Sequence, residues 1–385
     1  MAQDVAILDF GSSKITVLIG ERGINNTICL KGMGQCDYAG FGGGEWFEPA
    51  QLSYVLGHAI TNAETNSGTK IESLYIGVPG EFTTNVVKEL SMGLNKRRKV
   101  TEADVDALYN TGNDFYGQSE FAVVNIQPVY FELDDDKRTL VPYGNVCAKL
   151  GTLASYTLAE TKFTKFVTSL IKGLGIISME FVSSCLAEVL FLFSEEERDK
   201  SVVLFDIGYI TSNVIVGKGD GLLALNNFSM GGGHIAGDLA KCLGISFTQA
   251  ESLKRKVILS LSAGDGDVYE IGAGDTVRTF KASEVNEIVV ERLKIIAKAI
   301  TKCLKLCPYE YPDFIPYYLT GGGISYIRGA KEVMSKQLGR SIEIIAPDIP
   351  QINKPNLSAS WGLLDLAIRS ETPVKKGFFA KLFHK

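Results

Sequence analysis

The sequence predicts an α/β fold made of two duplicated halves around a cleft, and three observations carry that prediction. Near the N-terminus an apolar strand, a polar turn and a returning strand occupy residues 5–8, 9–14 and 15–19. The same unit recurs at residues 201–205, 206–211 and 212–216, and a repeat at such distance marks duplicated units. Each leading strand is a continuous apolar run, as expected where a sheet is covered on both faces. A chain of 385 residues also has the length for two or three domains and a sizeable core.

The elements between the repeats follow in order. A third strand is expected over residues 27–31, and a Gly-rich loop at 40–44 leads to Pro49, suited to an early helical position because it lacks an N–H. That helix runs to about residue 66, and residues 71–78 read as a strand. Residues 81–160 read as a separate module. It holds a capping-box start at Thr101-Glu-Ala-Asp104, a helix to residue 111, and strands at 121–133 and 153–159 with a turn at 134–137. The helical period returns with Phe163, Phe166, Val167, Leu170 and Ile171 on one stripe, followed by a helix at 185–193. Further helices are expected at 251–258, 282–306, 327–338 and 358–370. Short strands punctuated by Gly264, Gly266, Gly272 and Gly274 separate the first two, and a strand at 315–319 with a turn at 320–323 precedes the third.

Composition narrows the function classes. Apolar residues make up 45% and charged residues 22%, as in ordinary soluble proteins. A net charge of −5 argues against nucleic acid as a partner. Seven cysteines without framework spacing, and no N-terminal leader, are read as reduced thiols of a cytoplasmic protein. Cys303 and Cys307, four apart on one helix, are expected to pack in the core rather than bind metal. No apolar run nears the ~20 residues that span a bilayer. Glu188 interrupts the run at 186–193 and is expected to be solvated.

Phosphate recognition needs close approach by several backbone N–H groups, which small side chains allow. Gly11, Ser12 and Ser13 supply this in the first turn, with Lys14 adding positive charge. Asp9 would repel phosphate directly, so its natural role is to hold a hydrated Mg²⁺. Asp206 stands in the equivalent place of the second unit, with Gly208 and Thr211 after it. Either turn alone is an ordinary β-turn; the pair gains meaning with Gly231-Gly-Gly233, Glu251-Ser-Leu-Lys254 and Thr320-Gly-Gly-Gly323. A helix starting after Gly323 would offer N-terminal amides.

This set resembles the actin/Hsp70/sugar-kinase superfamily, which implies an actin-like fold of two RNase H-like subdomains closing on ATP and Mg²⁺. By that resemblance Asp9, Gly11, Ser12, Ser13 and Lys14 match phosphate-1, and Asp206, Gly208 and Thr211 match phosphate-2. Gly231, Gly232 and Gly233 match the ribose-phosphate side, Glu251 and Lys254 the ribose/adenine helix, and Gly321, Gly322 and Gly323 the adenosine loop. The interval 36–48 is too short for the small domain that actin carries there, and the extra module follows residue 78. That placement resembles the FtsA family of bacterial cell-division proteins and its 1C insertion. Ile76-Gly-Val-Pro-Gly80, Pro142-Tyr-Gly-Asn145, Ser184-Cys-Leu-Ala187, Glu195-Glu-Glu-Arg198, Met230-Gly-Gly-Gly-His-Ile-Ala-Gly-Asp238 and Ala250-Glu-Ser-Leu-Lys254 carry the likeness.

The resemblance implies subdomain 1A over 1–80, 161–198 and 356–370, and an inserted 1C-like subdomain over 81–160. It implies 2A over 199–244 and 311–355, and 2B over 245–310. Implied partners are FtsZ, contacted from the 2B region, other division proteins, and further copies of the chain in a filament. Two departures stand out. Tyr209 and Ile210 replace glycines of phosphate-2 and would hinder approach to a γ-phosphate, and Asn213 replaces an Asp. No polar residue on the helix before phosphate-2 is clearly set to orient water. Hydrolysis is therefore expected to be slow or absent.

Residues 375–385 read Lys-Lys-Gly-Phe-Phe-Ala-Lys-Leu-Phe-His-Lys. On a helix Phe378, Phe379, Leu382 and Phe383 share a face, flanked by Lys375, Lys376, Lys381 and Lys385. The tail holds four lysines and no acidic side chain, which leaves the rest of the chain at −9. A basic aromatic tail on an acidic body is the pattern of an interfacial anchor on anionic lipid, and the resemblance implies the same. Residues 371–385 are thus expected to hold the protein at the cytoplasmic face of the membrane, at the division site. The alternatives are a pilus-assembly scaffold of the PilM type and, from another class, a small-molecule kinase.

Overall fold

A computed structural model of the chain describes residues 4–371 apart from 25–26, 116, 135, 274–275 and 350–351. The sequence repeat becomes two five-stranded sheets of one topology. In the first, Val5–Phe10 pairs antiparallel with Lys14–Arg22, which pairs with Ile28–Asp37; on its other side Val5–Phe10 runs parallel to Ser73–Val78, and that to Ser178–Ser183. In the second, Val202–Ile207, Ser212–Lys218 and Gly221–Phe228 form the antiparallel part. Tyr317–Thr320 and Ile342–Ile344 add the parallel strands. Each Asp of interest lies near the end of its first strand, at the mouth of the turn.

Strand periodicity explains the continuous apolar runs. Ala6, Leu8 and Phe10 point into a core with the helices Leu52–Ser67 and Thr161–Gly173. Val5 and Ile7 point the other way, against the helix Ser358–Ser370. In the second half Val203, Phe205 and Ile207 face the helices Gly232–Leu243, Phe247–Lys254 and Ala282–Lys305. Val202 and Leu204 face Leu186 and Val189 of the helix Ser184–Leu192. Ala187 of that same helix packs in the first half's core. The helix Ser184–Leu192 therefore lies between the two sheets, and a helix apolar all round is a buried one.

The module after Ser73–Val78 has a four-stranded sheet, in the order Thr83–Lys99, Val146–Glu160, Phe121–Glu132, Arg138–Thr139, and a core of its own around Leu108, Phe131, Leu150 and Tyr156. Interval 36–48 holds only the two-residue strands Phe41–Gly42 and Glu45–Trp46 beyond the end of Ile28–Asp37. The module's helix Glu102–Thr111 starts as the sequence predicts. Asp104 Oδ2 accepts from the Thr101 amide at 2.9 Å and its hydroxyl at 2.6 Å, while Arg98 grips both carboxylate oxygens at 2.6 Å. The Arg98 guanidinium beside Asp104 holds its carboxyl below the usual range. This stabilisation is complete above the unfolded pKa near 4 and is lost as pH falls below it. Asp104→Ala should destabilise the chain by about 2–3 kcal/mol at neutral pH. The difference from wild type should shrink below pH 4 in urea unfolding.

Several boundaries differ from expectation. The strand expected at 27–31 continues to Asp37, and the one at 153–159 begins at Val146. Thr83–Lys99 has few apolar residues because it is an edge strand, where charge is tolerated. Ser178–Ser183 and Gly221–Phe228 also went unpredicted. The helix expected at 251–258 is Phe247–Lys254, started by a reciprocal Ser246/Gln249 box. The helix expected from residue 327 starts at Ala330, because Gly329 takes a left-handed φ of 89° and Arg328 gives its carbonyl to Leu259. Residues 323–329 form turns, so no helix offers its amides directly after Gly323. All seven cysteines are free. Cys307 lies past the helix end at Lys305, yet both it and Cys303 pack on one core. Among the described residues no helix is long and apolar enough to cross a membrane. The tail residues Lys375, Lys376, Phe378, Phe379, Lys381, Leu382 and Phe383 lie outside the described residues.

Candidate functional site

The two turns face each other across a cleft of about 600 Å³. Asp9, Gly11, Ser12, Ser13 and Lys14 line it from the first, and Asp206, Gly208 and Thr211 from the second, with Glu251, Gly321 and Gly322 along another wall. The turns touch. Ser12 Oγ accepts from the amides of Ile210 at 3.0 Å and Thr211 at 3.4 Å. One hydroxyl oxygen thus sits where two neighbouring N–H groups converge, the arrangement that suits an oxygen of an anion. Gly208 N–H closes its own turn on the Thr211 carbonyl at 3.0 Å. Lys14 pairs with Asp37 at 3.2 Å.

Gly231, Gly232, Gly233, Gly323 and Lys254 stand behind the wall. The amides of Gly232 and Gly233 donate to the carbonyls of Gly208 (3.0 Å) and Tyr209 (2.7 Å), and Gly323 donates to Ile207 at 2.7 Å. Lys254 Nζ, nearly buried, donates to the Gly232 carbonyl at 2.9 Å and to Glu251 Oε1 at 2.7 Å. These residues brace the second turn from outside the cleft.

The floor is acidic. Asp9 is buried and accepts from Ser360 at 2.6 Å and Ser184 at 3.4 Å, side chains that sequence reasoning did not pick out because distant helices deliver them. Burial pushes its carboxyl up against these bonds. Asp206 accepts from Asn213 Nδ2 at 3.1 Å, while burial, aided by the charge of Asp9, pushes it up to about 6. Asn213 Oδ1 is buried and has no hydrogen-bond partner among the described residues. Glu188, expected to be solvated, is only 2% exposed and lines the cleft. Its carboxyl is pushed well up by burial, then by Asp206 and Asp9. The correction follows from the helix it sits on, which both halves of the protein cover. Among the described residues no group of three or more His, Cys, Asp or Glu is arranged to hold a metal by itself.

Tyr209 and Ile210, expected to crowd the second turn, engage partners elsewhere. Tyr209 reaches Glu251, and Ile210 packs against Gly40 and Gly42 of the opposite half. What meets the amides of residues 210 and 211 is Ser12. Arg255 also lines the cleft, and its place beside Lys254 was the signal available for it.

Known proteins resemble this chain. The family model described as "Cell division protein FtsA" matches residues 203–362. The cell division protein FtsA of Neisseria meningitidis is 24% identical over 379 residues, covering 95% of this chain and 91% of that one. Among solved structures, the PilM-PilN type IV pilus biogenesis complex superposes with a TM-score of 0.65 at 16% identity, covering 94% of this chain and 98% of that one. MreB 5 of Spiroplasma citri bound to AMPPNP superposes with a TM-score of 0.57 at 12% identity, covering 98% and 99%. Over most of its length the chain is similar to the cell division protein FtsA, and it has the actin-like fold.

Proposed function

We propose that the chain binds ATP with Mg²⁺ in this cleft, acts as a nucleotide-dependent clamp, and works in cell division as a self-assembling membrane tether for FtsZ filaments. The observation that carries the nucleotide reading is the Ser12 hydroxyl held by the amides of residues 210 and 211. A phosphate oxygen entering there would replace it and draw both turns onto one ligand. Asp9 and Asp206 suit a hydrated Mg²⁺, which takes one or two carboxylates and completes its shell with water and phosphate. The unpartnered Asn213 Oδ1 supplies an acceptor for such a water. Bound there, Mg²⁺ would neutralise phosphate charge; the chain's own residues bind, orient and exclude water. The MreB neighbour's AMPPNP is of the same ligand class.

The subdomain boundaries stated above belong to this proposal, as do the 2B contact with FtsZ and the position at the division site. The tail would anchor weakly, at about 1 kcal/mol per lysine, and many copies in a filament would make attachment firm. Full-length protein should pellet with anionic vesicles while a truncation after residue 374 stays in the supernatant; equal pelleting removes the anchor. Pull-down should recover FtsZ. Failure to retain FtsZ, with retention of pilus-assembly proteins instead, would favour the scaffold reading. Phosphate release that rises only with a small-molecule acceptor would favour a kinase.

A further inference from the structure

We propose that Tyr209 is a positioning residue that holds Glu251 toward the hydroxyl-bearing end of the bound nucleotide, and so sets a preference for ribose over a sugar lacking its hydroxyls. This rests on the nucleotide reading above. A tyrosine inside a phosphate-type turn asks for an explanation, since the turn itself needs only small residues. The explanation lies in what the side chain holds. Tyr209 Oη donates to Glu251 Oε1 at 3.1 Å, and Lys254 donates to the same oxygen at 2.7 Å. The Lys254 ammonium stands 5.2 Å from the centre of the Tyr209 ring. The ring lies against Gly233, whose amide donates to the Tyr209 carbonyl at 2.7 Å. Tyr209 is thus fixed through its backbone, its ring and its hydroxyl.

Glu251 gains its orientation from this set. Its Oε1 has two donors, and its Oε2 makes no hydrogen bond among the described residues, while both Tyr209 and Glu251 line the cleft. A carboxylate repels phosphate and accepts from hydroxyls. The phosphate end of a nucleotide belongs at the amides of residues 210 and 211, so Glu251 meets the other end, where a ribose presents its hydroxyls. Tyr209 spans the two, with its backbone in the phosphate turn and its hydroxyl on the acceptor.

The test is equilibrium binding of ATP and of 2′,3′-dideoxy-ATP, each with Mg²⁺, to the full chain by calorimetry. Wild type should prefer ATP by about tenfold or more, as expected for hydroxyls bonded to a charged acceptor. Tyr209→Phe keeps the ring and removes the bond to Glu251. It should lower that preference about fivefold and leave dideoxy-ATP binding within about twofold of wild type. In a Glu251→Gln background the same change should have less than about a twofold effect on the preference. An unchanged preference in Tyr209→Phe, or an equal loss for both ligands, would overturn the proposal, the second by showing a merely structural ring. A wild type that binds both nucleotides equally well would also overturn it while leaving nucleotide binding intact. A wild type that binds neither defeats the nucleotide reading, and the proposal falls with it.

Discussion

Replacing Asp206 by Asn is expected to stabilise the nucleotide-free protein and to weaken the proposed Mg²⁺-dependent nucleotide binding about a hundredfold or more, two effects of opposite sign from one change. Asp206, half-buried, shares an acidic floor with the buried Asp9 and Glu188, and among the described residues no basic side chain is bonded to any of the three. Its carboxyl, ordinarily near 3.8, is pushed up to about 6, first by burial and then by Asp9, with the Asn213 amide working against both. The native state therefore binds this proton more tightly than the unfolded state does. The corresponding stability is fully present below pH ~4 and is lost as pH rises to ~6. At neutral pH the charge at this half-buried site costs on the order of 3 kcal/mol. Asp206→Asn keeps the shape and the acceptor for Asn213 while removing the charge, so its melting temperature without nucleotide should exceed that of wild type at pH 7.5 and approach it at pH 4–5. A Mg²⁺-bound nucleotide turns the same charge to advantage, and the variant should lose about a hundredfold or more in affinity, the value of roughly 3 kcal/mol. Thermal unfolding at both pH values, with and without Mg²⁺ and ATP, checks both halves. A variant that melts lower than wild type without nucleotide would refute the account of an uncompensated acidic floor.

The repeat and the two turns were legible because each rests on local chemistry: an apolar run, then small and acidic residues, then a returning strand. Asp9 and Asp206 come to one cleft for that reason. The Ser246/Gln249 box that starts the helix Phe247–Lys254 was equally local, and could have been read from Ser-Phe-Thr-Gln. What the sequence could not show locally is delivered across the fold. Ser184 and Ser360 reach Asp9 from helices 175 and 351 residues away, with nothing near them to announce it. Glu188 was misjudged by its charge, although its neighbours Leu186, Ala187, Val189 and Leu190 surround it with apolar residues that only a helix buried on all sides would carry. Tyr209 and Ile210 were judged by bulk alone, whereas the direction of their side chains decides their effect.

The glycines behind the second turn give the remaining large effect, and it separates two roles that a sequence motif merges. If Gly232 and Gly323 served ligand approach, alanine there would impair nucleotide binding and leave folding intact. Their surroundings point to packing instead. A Cβ on Gly323 would lie 2.2 Å from the Gly208 carbonyl oxygen and 3.0 Å from the Gly232 nitrogen, and one on Gly232 would lie 2.3 Å from the Gly323 carbonyl oxygen. All three obstacles are backbone atoms, which cannot swing aside as a flexible side chain can. Neither glycine needs a positive φ, so the demand is for space alone. Gly323→Ala and Gly232→Ala should each lower stability by about 3 kcal/mol or more, visible as a lower melting temperature without nucleotide. Gly237, in the same helix as Gly232, meets nothing within 4 Å, so Gly237→Ala should raise stability by up to about 1 kcal/mol. Wild-type melting in Gly323→Ala, with nucleotide binding lost, would return these residues to the ligand. A fall in melting temperature before any nucleotide is added would mean that Gly208, Gly232 and Gly323 shape the turn by backbone contact, leaving the amides of residues 210 and 211 as the part of it on which the nucleotide proposal rests.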